Sequence, residues 1–190
     1  RRLIVISEFM RKNLIVNGFR PDAIRKIRPP VQVSQAQRSE NARNGPLRIL
    51  FVGQLIRGKG ADLLVAAAKL LKTEFSLRIA GFGNDDDFVR QAVSDLGLSG
   101  RVEFFGRLSD IGVLYEWANV TVVPSRWQEP FGLIGIESMS HSRPVVAFDV
   151  GGISEWLKDG VNGCLVKHGD IQGMADALDR IAASEEDMRR

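Results

Sequence analysis

A doubly wound α/β domain built on a parallel sheet is the fold class the sequence predicts, on three observations. From Leu47 onward, short apolar runs alternate regularly with segments of helical period. The runs are apolar at successive positions, as strands buried on both faces require, rather than at every second one. Each run is followed by a helical segment, the order that produces a parallel sheet covered on both faces. In such sheets ligands sit at the carboxyl ends of the strands, so the strand-to-helix loops are where chemistry is sought.

Taken in order, the first 46 residues stand outside this beat. LIVIS (3–7) reads as a strand, and SEFMRKNLIVNG (7–18) as a short helix with Ser7 as N-cap and Gly18 as its stop. The X-Pro steps at Pro21, Pro29 and Pro30 and the polar stretch 32–45 then read as a loop or linker. Residues 1–46 amount to one βα unit plus connector, too small for a second domain. The beat then begins with LRILFVG (47–53) as a strand and 61–72 as a helix. It continues with SLRIAGF (76–82), a helix from about Asp85, RVEFF (101–105), a helix over 110–118 and VTVVPS (120–125). A helix over 132–141, PVVAFD (144–149), a helix over 153–158, CLVK (164–167) and a helix over 170–183 complete it. SEEDMRR at the end reads as the start of a helix that continues.

The chain has 190 residues, an apolar fraction of 44% and a charged fraction of 26%, averages for soluble globular proteins. The apolar runs are too short to span a bilayer and no signal-peptide pattern opens the chain, so a soluble intracellular domain is expected. The net charge of +3 conceals an asymmetry: residues 1–48 carry eleven Lys and Arg against three acids, a local +8, and the remainder sums to −5. A basic arm of that kind suits nucleic acid, an anionic membrane surface, or a solvated segment separated from its context. Cys164 is the single cysteine, which excludes a disulfide framework and a thiolate metal cluster.

Two loops carry candidate chemistry. GQLIRGKG (53–60) joins a strand to a helix and holds three glycines, Arg57 and Lys59. Backbone N–H groups in such a turn can approach a phosphate, and Lys adds a point charge. The spacing matches neither the dinucleotide GxGxxG pattern nor a P-loop, which leaves phosphate binding and an ordinary glycine turn both open. In PSRWQEPFGLIGIESM (124–139), Pro130 forces Glu129 out of helical geometry, so Glu129 precedes a helix that contains Glu137. Five steps from Gly132 place Glu137 roughly 7–8 Å along that helix. Between the carboxylates lie the free N–H groups of the first turn, around Phe131, Gly132, Leu133 and Ile134, an anion site. Two acceptor-only groups flanking an anion site suit a ligand with hydroxyls on both sides of a diphosphate, the layout of a nucleotide-sugar; two surface glutamates are the plainer alternative. Asp85, Asp86 and Asp87 are explained by capping and the macrodipole, with no metal site called for.

In their order and spacing, FVGQLIRGKGADLLV, AGFGND, VEFFGRL, VTVVPSRWQEPFGLIGIESM and PVVAFDVGGISEWLKDGVNGCLV resemble the C-terminal, Rossmann-like donor-binding domain of the GT-B retaining glycosyltransferases of family 4. The likeness covers 47–183, and VISEFMRKNLIVNGF with IRKIRPPV resembles the segment that ends the N-terminal domain of that family. The resemblance implies that 1–46 is the end of an N-terminal domain and its linker, and 47–190 the donor domain of a two-domain enzyme divided near its hinge. It implies that Lys59 neutralises the donor diphosphate, that Glu129 with the backbone of Phe131 to Ile134 holds the transferred sugar and distal phosphate, and that Glu137 holds the ribose hydroxyls. Arg107 and Leu108 would border the base, Gly53 would admit the phosphates, and Gly81 and Gly83 would shape the same cleft. The family usually carries Arg where this chain has Gln54, and Arg57 in the same loop is the candidate substitute.

Further implications are a nucleotide-diphosphate sugar as substrate, no cofactor and no metal. A glycan or lipid-linked acceptor would be recognised by the absent N-terminal domain, as in polysaccharide biosynthesis. The location would be cytoplasmic, with peripheral association of the full-length protein on the inner face of the membrane. Nucleic acid is not expected as a partner, because the basic arm then belongs to a hinge. Two other readings compete: a nucleotide-sugar binding module that performs no transfer, its Gln54 reflecting lost catalysis, and a GT-B-like sugar-nucleotide epimerase.

Overall fold

The computed structural model describes residues 2–30 and 45–183 of the chain. The polar connector expected at 32–45, all but its last residue, and the helix expected over 184–190 lie outside the described residues.

The first stretch forms a small βαβ unit of its own. Strand β1 (Leu3–Val5) pairs in parallel with β2 (Ile24–Lys26), and α1 (Glu8–Val16) crosses between them. Ser7 caps α1 by accepting from the Met10 N–H at 3.1 Å. The helix stops at Gly18, where the N–H groups of Gly18 and Phe19 donate to Ile15 and Leu14 in a Schellman arrangement. The sequence reading omits β2. Its three residues include only one buried side chain, Ile24, too short a run to register as a strand.

The main domain contains a six-stranded, wholly parallel sheet in the order β5-β4-β3-β6-β7-β8. The strands are β3 (Leu47–Val52), β4 (Phe75–Ala80), β5 (Val102–Gly106), β6 (Val120–Val123), β7 (Val145–Phe148) and β8 (Gly163–Val166). Helices α2 (Ala61–Lys69), α3 (Asp86–Asp95), α4 (Gly112–Trp117), α5 (Leu133–Ser140) and α6 (Ile171–Ala183) connect or follow them. All residues of β6 and β7 are buried, as the continuous apolar runs require.

Alternation along β3 divides the helices between two faces. Ile49 and Phe51 join the core of α2, α3 and α6, while Leu50 joins Ala80, Leu114 and Tyr115 under α4. Leu50 is level with Thr121 of β6, and the Thr121 hydroxyl bonds Ser138 of α5 at 2.8 Å, so α5 shares the α4 face. Consequently β3 and β6 are neighbours whose following helices go to opposite faces, which leaves a crevice above their carboxyl ends.

One expected helix is absent. Residues 153–158 make a single 3-10 turn, Ile153–Glu155. The amide of Asn162 donates to the Trp156 carbonyl at 2.9 Å and its oxygen accepts from the Lys158 N–H at 2.7 Å. Those backbone groups are therefore withdrawn from a helical ladder. Among the described residues, no helix is long and apolar enough to cross a membrane.

Leu77 on β4 is fully buried in the larger core. Leu77→Ala is expected to lower the stability of the protein by ~2–5 kcal/mol in urea unfolding, with an unchanged denaturant slope.

Candidate functional site

Two adjoining cavities open at the crevice. The first, about 270 Å³, is lined by the ends of β3 and β6 and by Lys59, Ser125, Glu129 and the segment Phe131 to Ile134. The second, about 200 Å³, is lined by Gly53, Gln54, Gly81, Phe82, Arg107 and Leu108, among others. Val52, the last residue of β3, borders both, so the two form one bipartite cleft across the switch point.

The loop after β3 places Lys59 in a 3-10 turn, Arg57–Lys59. The loop after β6 places Glu129 beside it. The Lys59 ammonium lies 2.6 Å from Glu129 Oε1, and the Ser125 hydroxyl donates to the same oxygen at 2.5 Å. Glu129 is only 6% exposed, so its charge is tolerated because it is paired and hydrogen-bonded. The plainer reading of two surface glutamates is thereby set aside for this residue. Its backbone is fixed from below, where the carbonyl accepts from the Gly152 N–H at 2.8 Å, and the neighbouring Gln128 side chain accepts from Gly151.

A second ionic contact fastens the two loops together. Arg126 donates to both carboxylate oxygens of Asp62 at 2.6 Å, a bidentate pair, and to the carbonyl of Arg57 at 2.8 Å. The N–H of Arg126 also donates to Gly58, whose α-carbon lies under the Trp127 indole with no room for a Cβ. Burial pushes the Asp62 carboxyl up, but the hydrogen bonds and charge of Arg126 outweigh it and hold the group below its ordinary value of 3.8.

Helix α5 points its N-terminus into the first cavity. Gly132 supplies the entry with φ 82°, and no side chain caps the helix. The Gly135 N–H turns back to the Gly132 carbonyl at 3.1 Å, leaving the N–H groups of Leu133 and Ile134 as the first-turn donors. Phe131 has a second, structural contact. It precedes the helix and is buried, it lines the first cavity, and its carbonyl accepts from the Trp156 indole, which braces the entry to the helix.

Glu137, in the second turn of α5, borders neither cavity directly and is held from α4. The Tyr115 hydroxyl donates to Glu137 Oε2 at 3.1 Å. Arg57 is the candidate the structure does not bring in: its guanidinium lies over the Phe88 ring at 4.7 Å and 3.9 Å from Asp62, outside both cavities. Gln54 does line the second cavity, as do Arg107, which lies over Phe82 at 5.6 Å, and Leu108. A Cβ on Gly81 would collide with the carbonyl of Gly53, and one on Gly83 with that of Leu55, which explains the small residues on this wall.

Tyr115, Ser125, Arg126, Asp62 and Ile6 are missed by the sequence reading. Ser125 and Arg126 lie inside the quoted loop motif and Tyr115 is the sole tyrosine of the chain, but only their folded positions give them roles. Among the described residues, no group of three or more His, Cys, Asp and Glu is placed to hold a metal ion. Asp86 instead pairs with Arg90 one turn on.

Comparison with known proteins bears on the chain as a whole. The family model described as glycosyl transferases group 1 matches residues 33–190. The chain belongs to this family. An uncharacterised glycosyltransferase of Methanocaldococcus jannaschii is 36% identical over 149 residues, covering 76% of this chain and 38% of the relative. A D-inositol 3-phosphate glycosyltransferase of Nocardia farcinica is 34% identical over 157 residues, covering 75% and 34%. The chain thus spans little more than a third of the length of these curated relatives. Among solved structures, a variant of Staphylococcus aureus TarM in complex with fondaparinux, alpha-GlcNAc-glycerol and UDP superposes with a TM-score of 0.88 at 27% identity, covering 97% of this chain and 37% of that one. Anabaena HepE, solved with UDP and glucose, gives a TM-score of 0.91 at 23% identity over 98% of this chain and 55% of its own. The neighbours are GT-B glycosyltransferases, and the six-stranded parallel sheet flanked by helices is the fold they share with this group 1 glycosyl transferase domain.

A carboxyl whose value is depressed in the folded state contributes stability that is present above its ordinary value and lost as pH falls through the lower folded value. The Asp62–Arg126 clamp is therefore expected to weaken as pH drops below 3.8. In acid unfolding, Asp62→Asn should be less stable than the parent at pH 6 and should lose part of the parent's dependence on pH below 4.

Proposed function

We propose that this chain is the donor-binding half of a family 4 retaining glycosyltransferase. It holds a nucleoside diphosphate sugar whose sugar passes, in the full-length protein, to an acceptor hydroxyl with the anomeric configuration kept. The observation that carries the reading is the bipartite cleft itself. A cation and an uncapped helix N-terminus sit in one half, a glycine-lined slot in the other, and Val52 is common to both. A diphosphate fits at the junction, with the sugar and the nucleoside on either side of it.

In this reading Lys59 keeps one of its three donors on Glu129 and offers the others to the diphosphate, stabilising the negative charge that develops as the leaving group departs. The N–H groups of Leu133 and Ile134 add the positive end of α5. Glu129 Oε2, which has no protein partner among the described residues, accepts from hydroxyls of the transferred sugar. Glu137 accepts from the ribose hydroxyls, and Gly81, Arg107 and Leu108 border the base. The protein's contribution is mainly positioning and charge stabilisation. UDP bound to TarM, which shares 27% identity with this chain, supports a nucleoside diphosphate as the ligand class. The names of the curated relatives support transfer to a hydroxyl-bearing acceptor.

Calorimetry with UDP, GDP and ADP is the first test, and saturable binding of one of them is expected; binding of none would sink the proposal. In full-length protein, Lys59→Ala is expected to lower kcat/KM by about 10²–10³. An unchanged value would remove Lys59 from the chemistry, and an inverted anomeric centre in the product, read by NMR, would overturn the retaining mechanism.

A further inference from the structure

Glu137 stands one turn behind Ile134, which lines the first cavity, and no hydrogen bond from another α5 side chain fixes which way its carboxylate faces among the described residues. The fixing group comes from the neighbouring helix. Tyr115 on α4 is 1% exposed, and its phenol oxygen lies 3.1 Å from Glu137 Oε2 and 3.4 Å from the Ile134 carbonyl. The phenol has a single proton to give. Distance and charge direct it to the carboxylate, because a hydrogen bond to an ionised acceptor is the stronger one.

The phenol is itself held on both sides. His141, at the end of α5, stacks on the Tyr115 ring with centroids 5.1 Å apart and planes 24° from parallel. The buried Arg143 guanidinium donates to the Tyr115 carbonyl at 2.9 Å and to the Glu116 carbonyl at 2.8 Å, pinning the backbone of α4 where the phenol projects. Burial, followed by the adjacent Glu137 charge, pushes the phenol far above its ordinary range, which favours the protonated, donating form. Glu137 Oε1 has no protein partner among the described residues.

We infer that Tyr115 is a positioning residue for recognition of the ribose diol: by occupying one lone pair of Glu137 Oε2, it orients the carboxylate so that its remaining acceptor sites face two vicinal hydroxyls. The inference rests on the donor-binding reading above and adds a residue and a specificity to it. A carboxylate turned this way distinguishes a ribonucleotide from its deoxy analogue, whereas a freely rotating one does so weakly.

The test uses whichever of UDP, GDP and ADP binds most tightly to the full-length protein, together with its 2′,3′-dideoxy analogue. Wild type is expected to prefer the ribo form, and Tyr115→Phe, which retains the ring and its stacking, should weaken binding of the ribo form about tenfold while leaving the dideoxy form within about twofold. In a Glu137→Ala background the same substitution should have no further effect on either ligand. An equal loss for both ligands would mark Tyr115 as merely structural, and no loss for the ribo form would show that it does not orient Glu137; either overturns the inference alone. Equal affinity of wild type for both forms would overturn the inference together with the ribose role of Glu137. Thermal unfolding of each variant accompanies the titrations, and the double-variant comparison still decides if Tyr115→Phe melts early.

Discussion

The rest of the structure depends on a constraint set by the sheet: β3 and β6 lie side by side but send their chains to opposite faces. Two loops meet in the space between their carboxyl ends, where the backbone contact is local: the Arg126 N–H donates to the Gly58 carbonyl at 2.8 Å. Side chains add to that alignment. The bidentate contact of Arg126 with Asp62 and its bond to the Arg57 carbonyl set the height of one loop against the other. Lys59 and Glu129 lie 2.6 Å apart across the same two loops. Each of these contacts joins groups more than sixty residues apart in the chain, which makes the site a product of the fold rather than of any local motif.

The charges in the cleft are arranged so that little of their cost is left uncompensated. Burying a lone carboxylate is strongly unfavourable, and Glu129 avoids this by sharing one oxygen between an ammonium and a hydroxyl. Glu137, half-buried, takes a hydrogen bond from a phenol supplied from α4. In both cases one carboxylate oxygen is committed to the protein and the other is not. A ligand therefore meets acceptors whose direction is already decided, which reduces the ordering that binding must impose.

The strands of the main sheet were legible in the sequence because residues buried on both faces produce unbroken apolar runs, and β6 and β7 are of that kind. The distinction between Glu129, ahead of a helix, and Glu137, within it, followed from the position of Pro130 and agrees with α5 starting at Leu133. Short elements were not legible: β2 offers one buried residue, and the turn after Gly152 fails to continue because the side chain of Asn162 takes its backbone partners. Nor was the fate of Arg57, since its attraction to Phe88 and Asp62 depends on where α2 and α3 are placed. Tyr115 carried no sign of its role. Its meeting with Glu137 requires that α4 and α5 lie on one face of the sheet, a fact that only the strand order supplies.

The short turn after β7 touches two things at once. Its Glu155 carboxylate accepts from the Phe9 N–H at 2.9 Å, at the beginning of α1, and lies 3.9 Å from Lys26 of β2. Three residues earlier, Gly152 donates to the Glu129 carbonyl, and Ile6, just past β1, forms part of the wall of the Lys59 cavity. The small leading unit and the acidic group of the cleft thus share a common footing. The first thirty residues therefore meet, through this one turn, the same backbone that fixes Glu129 beside Lys59.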